Sequence, residues 1–179
     1  MLTDGIFLSK LRYCLDVYGV VRGTETLRDT DSRYNSFTKS HLDSLQKLEN
    51  KVMRLLTGHG YDTHVLQLLE DADMLSINQL ISFTTTMTTF KIKQSKKPIY
   101  LAQRLGFLDD SGQHSRRNQE TILINFKLST ARQGFMYRAA KAWSCLPIQL
   151  KLEKNQQAFE TGLRKWVLMN IQALPGKYE

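Results

Sequence analysis

Apolar positions along this chain recur mostly at intervals of three and four, and strict alternation is confined to one short stretch. Residues 4–18 place Ile6, Leu8, Leu11, Cys14, Leu15 and Tyr18 in a largely helical rhythm that Gly19 stops. Residues 22–37 are polar and turn-rich and read as a linker. Ser40 is placed to cap a helix whose Leu42, Leu45, Leu48, Val52, Leu55 and Leu56 describe one apolar stripe. Gly58-His59-Gly60 ends that helix, because glycine accepts the left-handed conformation of helix termini.

A short helix is expected next, from Asp62 to Asp71, with Val65, Leu66, Leu68 and Leu69 as its apolar set. Ser76-Ile77-Asn78-Gln79 has the form of a capping box: the serine hydroxyl takes a backbone N–H while the glutamine reaches back. Behind it Ile77, Leu80, Ile81, Thr84, Met87 and Thr88 share a helical face, although five threonines between 84 and 89 weaken intrinsic helix propensity. Lys91 to Lys97 form a basic connector, and Pro98 starts a short helix through Gln103. Residues 106–120 read as an exposed loop, and TILINFK at 121–127 is the best strand candidate.

In RQGFMYRAAKAWSCLP, from Arg132 to Pro147, helical winding gathers Phe135, Met136, Ala139, Ala140 and Trp143 on one face. Arg138 and Lys141 fall opposite, and Pro147 bars continuation. A last helix, 155–171, carries Phe159, Leu163, Trp166, Val167 and Asn170, with Arg164 and Lys165 outside. The pattern therefore predicts a mainly α fold: a bundle of about six helices with at most one short β element. It divides into an N-terminal helix (1–21), a linker (22–37), a helical subdomain (38–105), a basic loop and short strand (106–131), a C-terminal helical pair (132–171) and a tail (172–179).

A chain of 179 residues with 41% apolar and 23% charged side chains has the composition of a folded domain. No apolar run reaches the ~18 residues of a membrane span, and the N-terminal stretch lacks the basic and apolar regions of a signal peptide. Cys14 and Cys145 belong to no CxxC pair and sit in apolar helical patterns, so both are expected as reduced, buried thiols of an intracellular protein, nuclear or cytoplasmic.

The formal charge of +8 is unevenly spread. Residues 1–90 hold 9 lysines and arginines against 11 acids, residues 91–141 hold 11 against 3, and residues 142–179 hold 5 against 3. A basic excess concentrated in the middle of the chain points to a polyanion-facing surface.

Catalytic patterns are scarce. Phe107-Leu108-Asp109-Asp110 has the F-x-D-D form of a reverse-transcriptase metal site, in which paired carboxylates hold divalent ions. The polar run that follows Asp110 cannot be the buried strand such a hairpin needs, so a solvated loop is expected. His41, His59, His64 and His114 have no zinc spacing with the cysteines. Phosphate-loop and nucleophile-elbow motifs are absent, and no catalytic residue, metal or cofactor is assigned. What remains is binding. Lys93, Lys96, Lys97, Arg104, Arg116, Arg117, Lys127, Arg132, Arg138 and Lys141, with Lys91, could track phosphates, and Tyr100, Phe126 or Tyr137 could stack on bases.

An ordered series of motifs carries a resemblance. SKLRYCLDVYG at 9–19 is similar to S-K-L-x-Y-G-x-x-V-[YW]-G, and LDSLQKLENKVMRLLTG at 42–58 to L-x-x-L-Q-x-x-Q-N-x-x-[LM]-R-x-[IL]-x-G. LLEDADMLSINQLISF at 68–83 is similar to L-L-x-x-x-x-[WL]-L-S-[VI]-x-Q-x-[IL]. The stretch through Leu146-Pro147 resembles S-F-x-[YN]-x-[GA]-[AS]-x-x-W-N-x-L-P, and Gln157 to Leu168 resembles [ST]-x-x-x-F-x-x-x-L-K-x-[WF]-L. In this order the motifs resemble the C-terminal segment, beyond the palm, of the reverse transcriptases of non-LTR (LINE-type) retrotransposons, the RTE and jockey-like branches in particular. The resemblance covers residues 6–168 and places Arg116 and Arg117 in that family's arginine-bearing loop. Cys14 stands where the family has glycine and Ser144 where it has asparagine, and the polymerase carboxylates have no counterpart.

The resemblance implies a non-catalytic thumb-and-tail module of an RNA-directed DNA polymerase, binding RNA or DNA non-specifically through phosphates. Two alternatives stand beside it: a helical module for protein–protein interaction, or a translated retrotransposon fragment without selected role. In the former, Ile6, Leu8 and Leu15 would offer an apolar patch for a partner or for self-association.

Overall fold

The computed structural model describes residues 39–105 and 135–169, with only the backbone described for Lys39 and Arg104. Within them the chain forms seven helices and no strand: α1 (Lys39–Thr57), α2 (Val65–Asp71), α3 (Ile77–Ser95), α4 (Ile99–Arg104), α5 (Phe135–Cys145), α6 (Ile148–Lys151) and α7 (Gln156–Met169). The mainly α expectation holds. The helix expected at 4–18 and the strand expected at 121–127 lie outside the described residues.

The central element is α3, which packs against α1, α4, α5 and α7. Its start is the anticipated capping box: the Gln79 N–H donates to Ser76 Oγ at 3.4 Å and the Ser76 N–H donates to Gln79 Oε1 at 2.9 Å. The sequence showed one apolar face, but the structure buries α3 nearly all round, including Phe83, Phe90 and Ile92. Three of the threonines tolerate this because their hydroxyls donate to carbonyls one turn back: Thr84 to Leu80 at 2.9 Å, Thr86 to Ser82 at 2.8 Å and Thr89 to Thr85 at 2.8 Å. A hydroxyl satisfied inside its own helix can enter a core without leaving a donor stranded. Tertiary burial thus overrides the propensity penalty.

At the centre of the bundle, Phe90 of α3 stacks on Phe159 of α7 with ring centroids 4.0 Å apart and planes within 10°. Trp143 of α5 lies 6.1 Å from Phe159 by centroid. All three are almost completely buried. One continuous core thus draws on helices from both the 38–105 and the 132–171 stretches. Gly162 of α7 permits a close approach: a Cβ there would meet Leu150 Cδ2 of α6 at 2.6 Å.

A smaller core, Met53, Leu68, Leu69 and Met74, joins α1 to α2. Gly58 ends α1 in the left-handed conformation (φ 71°), with its N–H donating to Arg54 O at 2.9 Å. Ser40 lies inside α1 and does not cap it, and α2 begins at Val65, where His64 Nδ1 accepts from the Leu66 N–H at 3.3 Å. The apolar stripe of α1 is split. Leu42 and Met53 face inward, whereas Leu48, Leu55 and Leu56 are 47%, 85% and 51% exposed. Arg164 does not point away from the fold; it pairs with Asp73 Oδ1 at 3.0 Å and donates to the Asp73 carbonyl, tying α7 to the α2–α3 turn.

Candidate nucleic-acid interface

The C-terminal ends of α3 and α5 meet the α6–α7 turn at one end of the bundle, and lysines collect there. Ser95 Oγ donates to Lys91 O at 2.7 Å, and Lys96 adopts the left-handed conformation (φ 54°) with its N–H donating to Ile92 O at 2.9 Å. That reversal leaves the side chains of Lys91, Lys96 and Lys97 exposed. From the other side of the junction, Lys151 Nζ donates to Ser144 O, in the last turn of α5, at 3.1 Å. Lys93 Nζ approaches Lys151 O at 3.5 Å and sits 5.2 Å from the centre of the Trp143 ring. The Gln94 side-chain amide donates to Lys154 O, which fixes exposed Lys154 beside the end of α3.

Two roles divide these lysines. Lys93 and Lys151 are half-buried and bring positive charge to carbonyls, Lys151 at a helix C-terminus, where the backbone dipole is negative. Lys91, Lys96, Lys97 and Lys154 face solvent around them. The nearest acid in sequence, Glu153, is half-buried and spends one carboxylate oxygen on the N–H groups of Lys154 and Asn155, each at 3.0 Å. Ile99 and Tyr100, 67% and 63% exposed, follow directly on α4. Positive point charges are what phosphate tracking uses, and an exposed aromatic ring is what base stacking uses.

The structure thus brings together Lys93, Lys96 and Lys97 of the anticipated set and adds Lys151 and Lys154, which sequence reading missed. Lys141, exposed on α5, lies one turn before the end of that helix. Arg138 is half-buried and has an interaction of its own, so it is not turned wholly to solvent. Tyr137 is likewise half-buried and engaged. Only the backbone of Arg104 is described, at the end of α4. Arg116, Arg117, Phe126, Lys127 and Arg132, together with the F-x-D-D tetrapeptide at 107–110, lie outside the described residues.

Elsewhere, His59 Nε2 meets Asp71 Oδ2 at 2.8 Å in an exposed pair that staples the α1–α2 turn. Among the described residues no three His, Cys, Asp or Glu side chains gather to hold a metal, and no helix is long and apolar enough to cross a membrane. Cys145 is exposed, contrary to expectation, because it sits about 200° around α5 from buried Trp143.

One buried charge-bearing group stands apart from the lysines. Glu49 of α1 is fully buried; one carboxylate oxygen accepts from Gln46 Nε2 at 2.7 Å and the other, Oε1, has no partner. Gln46 in turn accepts the Ile77 N–H at 3.0 Å, so the pair links α1 to the first turn of α3. Burial pushes the Glu49 carboxyl up from 4.5 to about 7, against the opposing pull of the Gln46 hydrogen bond and of the nearby Ile77 N–H dipole.

These features define a helical bundle with a lysine-rich end. No protein-family model, no curated protein and no solved structure matches the chain.

Proposed function

We propose that this chain is a non-catalytic nucleic-acid-binding module related to the C-terminal segment of non-LTR retrotransposon reverse transcriptases, and that it holds RNA or DNA mainly through phosphate contacts. The reading of origin rests on the ordered motifs of the sequence. The observation that carries the reading of function is the convergence of Lys91, Lys96, Lys97 and Lys154 at one end of the bundle, with exposed Tyr100 three residues beyond Lys97 in the chain. Lysines at such a site act as point charges on the phosphate chain, so affinity tracks salt more than sequence.

The test is a titration of the purified chain with labelled single-stranded RNA and with duplex DNA across a salt series. Micromolar binding whose log K falls linearly with log salt is expected. The combined Lys91→Glu, Lys97→Glu and Lys154→Glu variant should flatten the slope by roughly 2–3, at ~0.7–0.9 for each phosphate that is no longer neutralised. Absence of binding at low salt, where screening is weakest, would contradict the proposal.

A further inference from the structure

Helix α1 turns one seam inward, Leu42, Gln46, Glu49 and Met53, beside a second seam of Leu45, Leu48, Val52 and Leu55 that is half-buried or exposed. The inward seam holds α1 in two places. Met53 joins Leu68, Leu69 and Met74 in the small core with α2. Nearer its N-terminus, Leu42 enters the main core with Leu75 and Ile77, and Gln46 forms the joint with α3. Gln46 Nε2 donates to Glu49 Oε2 at 2.7 Å and to Asn50 Oδ1 at 3.0 Å, while its Oε1 accepts the Ile77 N–H at 3.0 Å. That N–H belongs to the first turn of α3, which has no carbonyl of its own helix to donate to. The second carboxylate oxygen of Glu49 is buried in this joint without a partner.

A neutral carboxyl can sit there; an ionised one would bring a full charge into the joint with Gln46 as its side-chain donor. Among the described residues no countercharge faces it. Helix α3 has no ionisable side chain from Ile77 to Phe90. On α1, His41, Asp43, Lys47 and Lys51 are exposed, and Arg54 is turned to the carbonyls of Gly60 and Tyr61 at 3.3 and 3.4 Å. Around α2, Asp62, His64 and Glu70 are exposed, Asp71 pairs with His59, and Asp73 pairs with Arg164.

From this geometry we infer that α1 is a pH-gated arm, which lies on the head of α3 while Glu49 is protonated and lifts from it into water when Glu49 ionises. The rest of the bundle does not need the arm. Ser76 and Gln79 cap α3 by themselves, and Phe90, in the aromatic junction, lies on the order of 20 Å along α3 from Ile77. The docked arm stays the major state, and ionisation makes the open one more frequent. Burial keeps the carboxyl protonated up to about 7, against an ordinary 4.5, so docking is firmest below 4.5 and weakens as pH rises to 7. The inference is independent of the reading of the lysine-rich end.

Amide hydrogen exchange of the full chain, followed from pH 5 to pH 8 and over low urea concentrations, provides the test. Amides from Leu45 to Met53 should be less protected than those from Phe159 to Val167, and should exchange through an opening of weaker urea dependence. The open fraction of α1 should rise roughly 40-fold from pH 5 to pH 7 and then level off, as linkage between 4.5 and about 7 requires. In Glu49→Gln, where a neutral side chain of the same shape replaces the acid, that rise should vanish. Three results would overturn the inference: one common protection and urea dependence for the amides of α1 and α7, no rise with pH, or a rise that survives in Glu49→Gln. The first two are read on the unaltered chain and so do not depend on how the variant folds.

Discussion

The two cores of this molecule are built on different terms. Where α3 meets α5 and α7, three aromatic rings fill the junction and the polar side chains of α3 mostly satisfy themselves within the helix. Where α1 meets α2 and the start of α3, the apolar cluster has only four buried members and a carboxyl group lies completely buried beside it. On the same helix Leu55 remains 85% exposed. The first region spends its hydrophobic side chains on internal packing. The second keeps a costly group inside and leaves apolar side chains outside, the pattern of a surface with some purpose besides stability.

The sharpest way to separate the two regions is to remove one side chain from each. Truncating Phe159 to alanine empties the space between Phe90 and Trp143, and should destabilise the fold by about 3–5 kcal/mol in urea unfolding. A loss well below that range would mean the aromatic junction is not the main core.

Glu49 gives the next largest effect, and its direction depends on pH. Its carboxyl binds a proton more tightly in the folded chain, at about 7, than the ordinary value of 4.5. The stability it permits is therefore complete below 4.5 and is lost as pH rises towards 7. No charged neighbour drives the shift: α3 has no ionisable side chain from Ile77 to Phe90, and Glu70 and Asp71 of α2 are exposed, the latter paired with His59. On α1 itself Asp43, Lys47 and Lys51 face solvent, and Arg54 is turned to the loop. Glu49→Gln should raise stability at pH 8 by on the order of 3 kcal/mol and flatten the fall between pH 5 and 7. Urea midpoints of both proteins across that range provide the check, and parallel curves would count against a buried carboxyl.

The smallest effect lies on α3. Thr85 Oγ1 is buried without a partner, unlike its neighbours, so Thr85→Val should gain about 1 kcal/mol of stability. A loss on that substitution would show that the hydroxyl is satisfied in solution.

Much of the helical frame was legible in the sequence because its signals are local. Ser76 and Gln79 mark a helix start within four residues, and the spacing of Phe159, Leu163 and Val167 gives the buried face of α7. The exposure of Cys145 was missed by reading an apolar context where helix angle decides. The stripe on α1 was misread for a related reason: two adjacent seams of similar period look like one broad face, and Glu49 looks like a break in it. Which seam turns inward depends on α2 and α3.

The lysine-rich end was only half visible. Lys93, Lys96 and Lys97 stand together in the sequence, but Lys151 and Lys154 reach them across separations of 58 and 60 residues, through contacts that no local pattern announces. Arg138 shows the opposite case. Its helical position faces away from Trp143, yet the fold half-covers it.

The most direct test of the account compares these two lysine-bearing surfaces in one experiment. The Lys97→Glu, Lys154→Glu variant and the Lys47→Glu, Lys51→Glu variant change the net charge equally, and all four side chains are exposed. Titrated with the same single-stranded RNA over the same salt series, the first should lose affinity and flatten its salt slope by roughly 1–2, while the second stays near the unaltered chain. Equal losses in both would contradict the account, because the RNA would then be responding to overall charge and not to the lysine-rich end of the bundle.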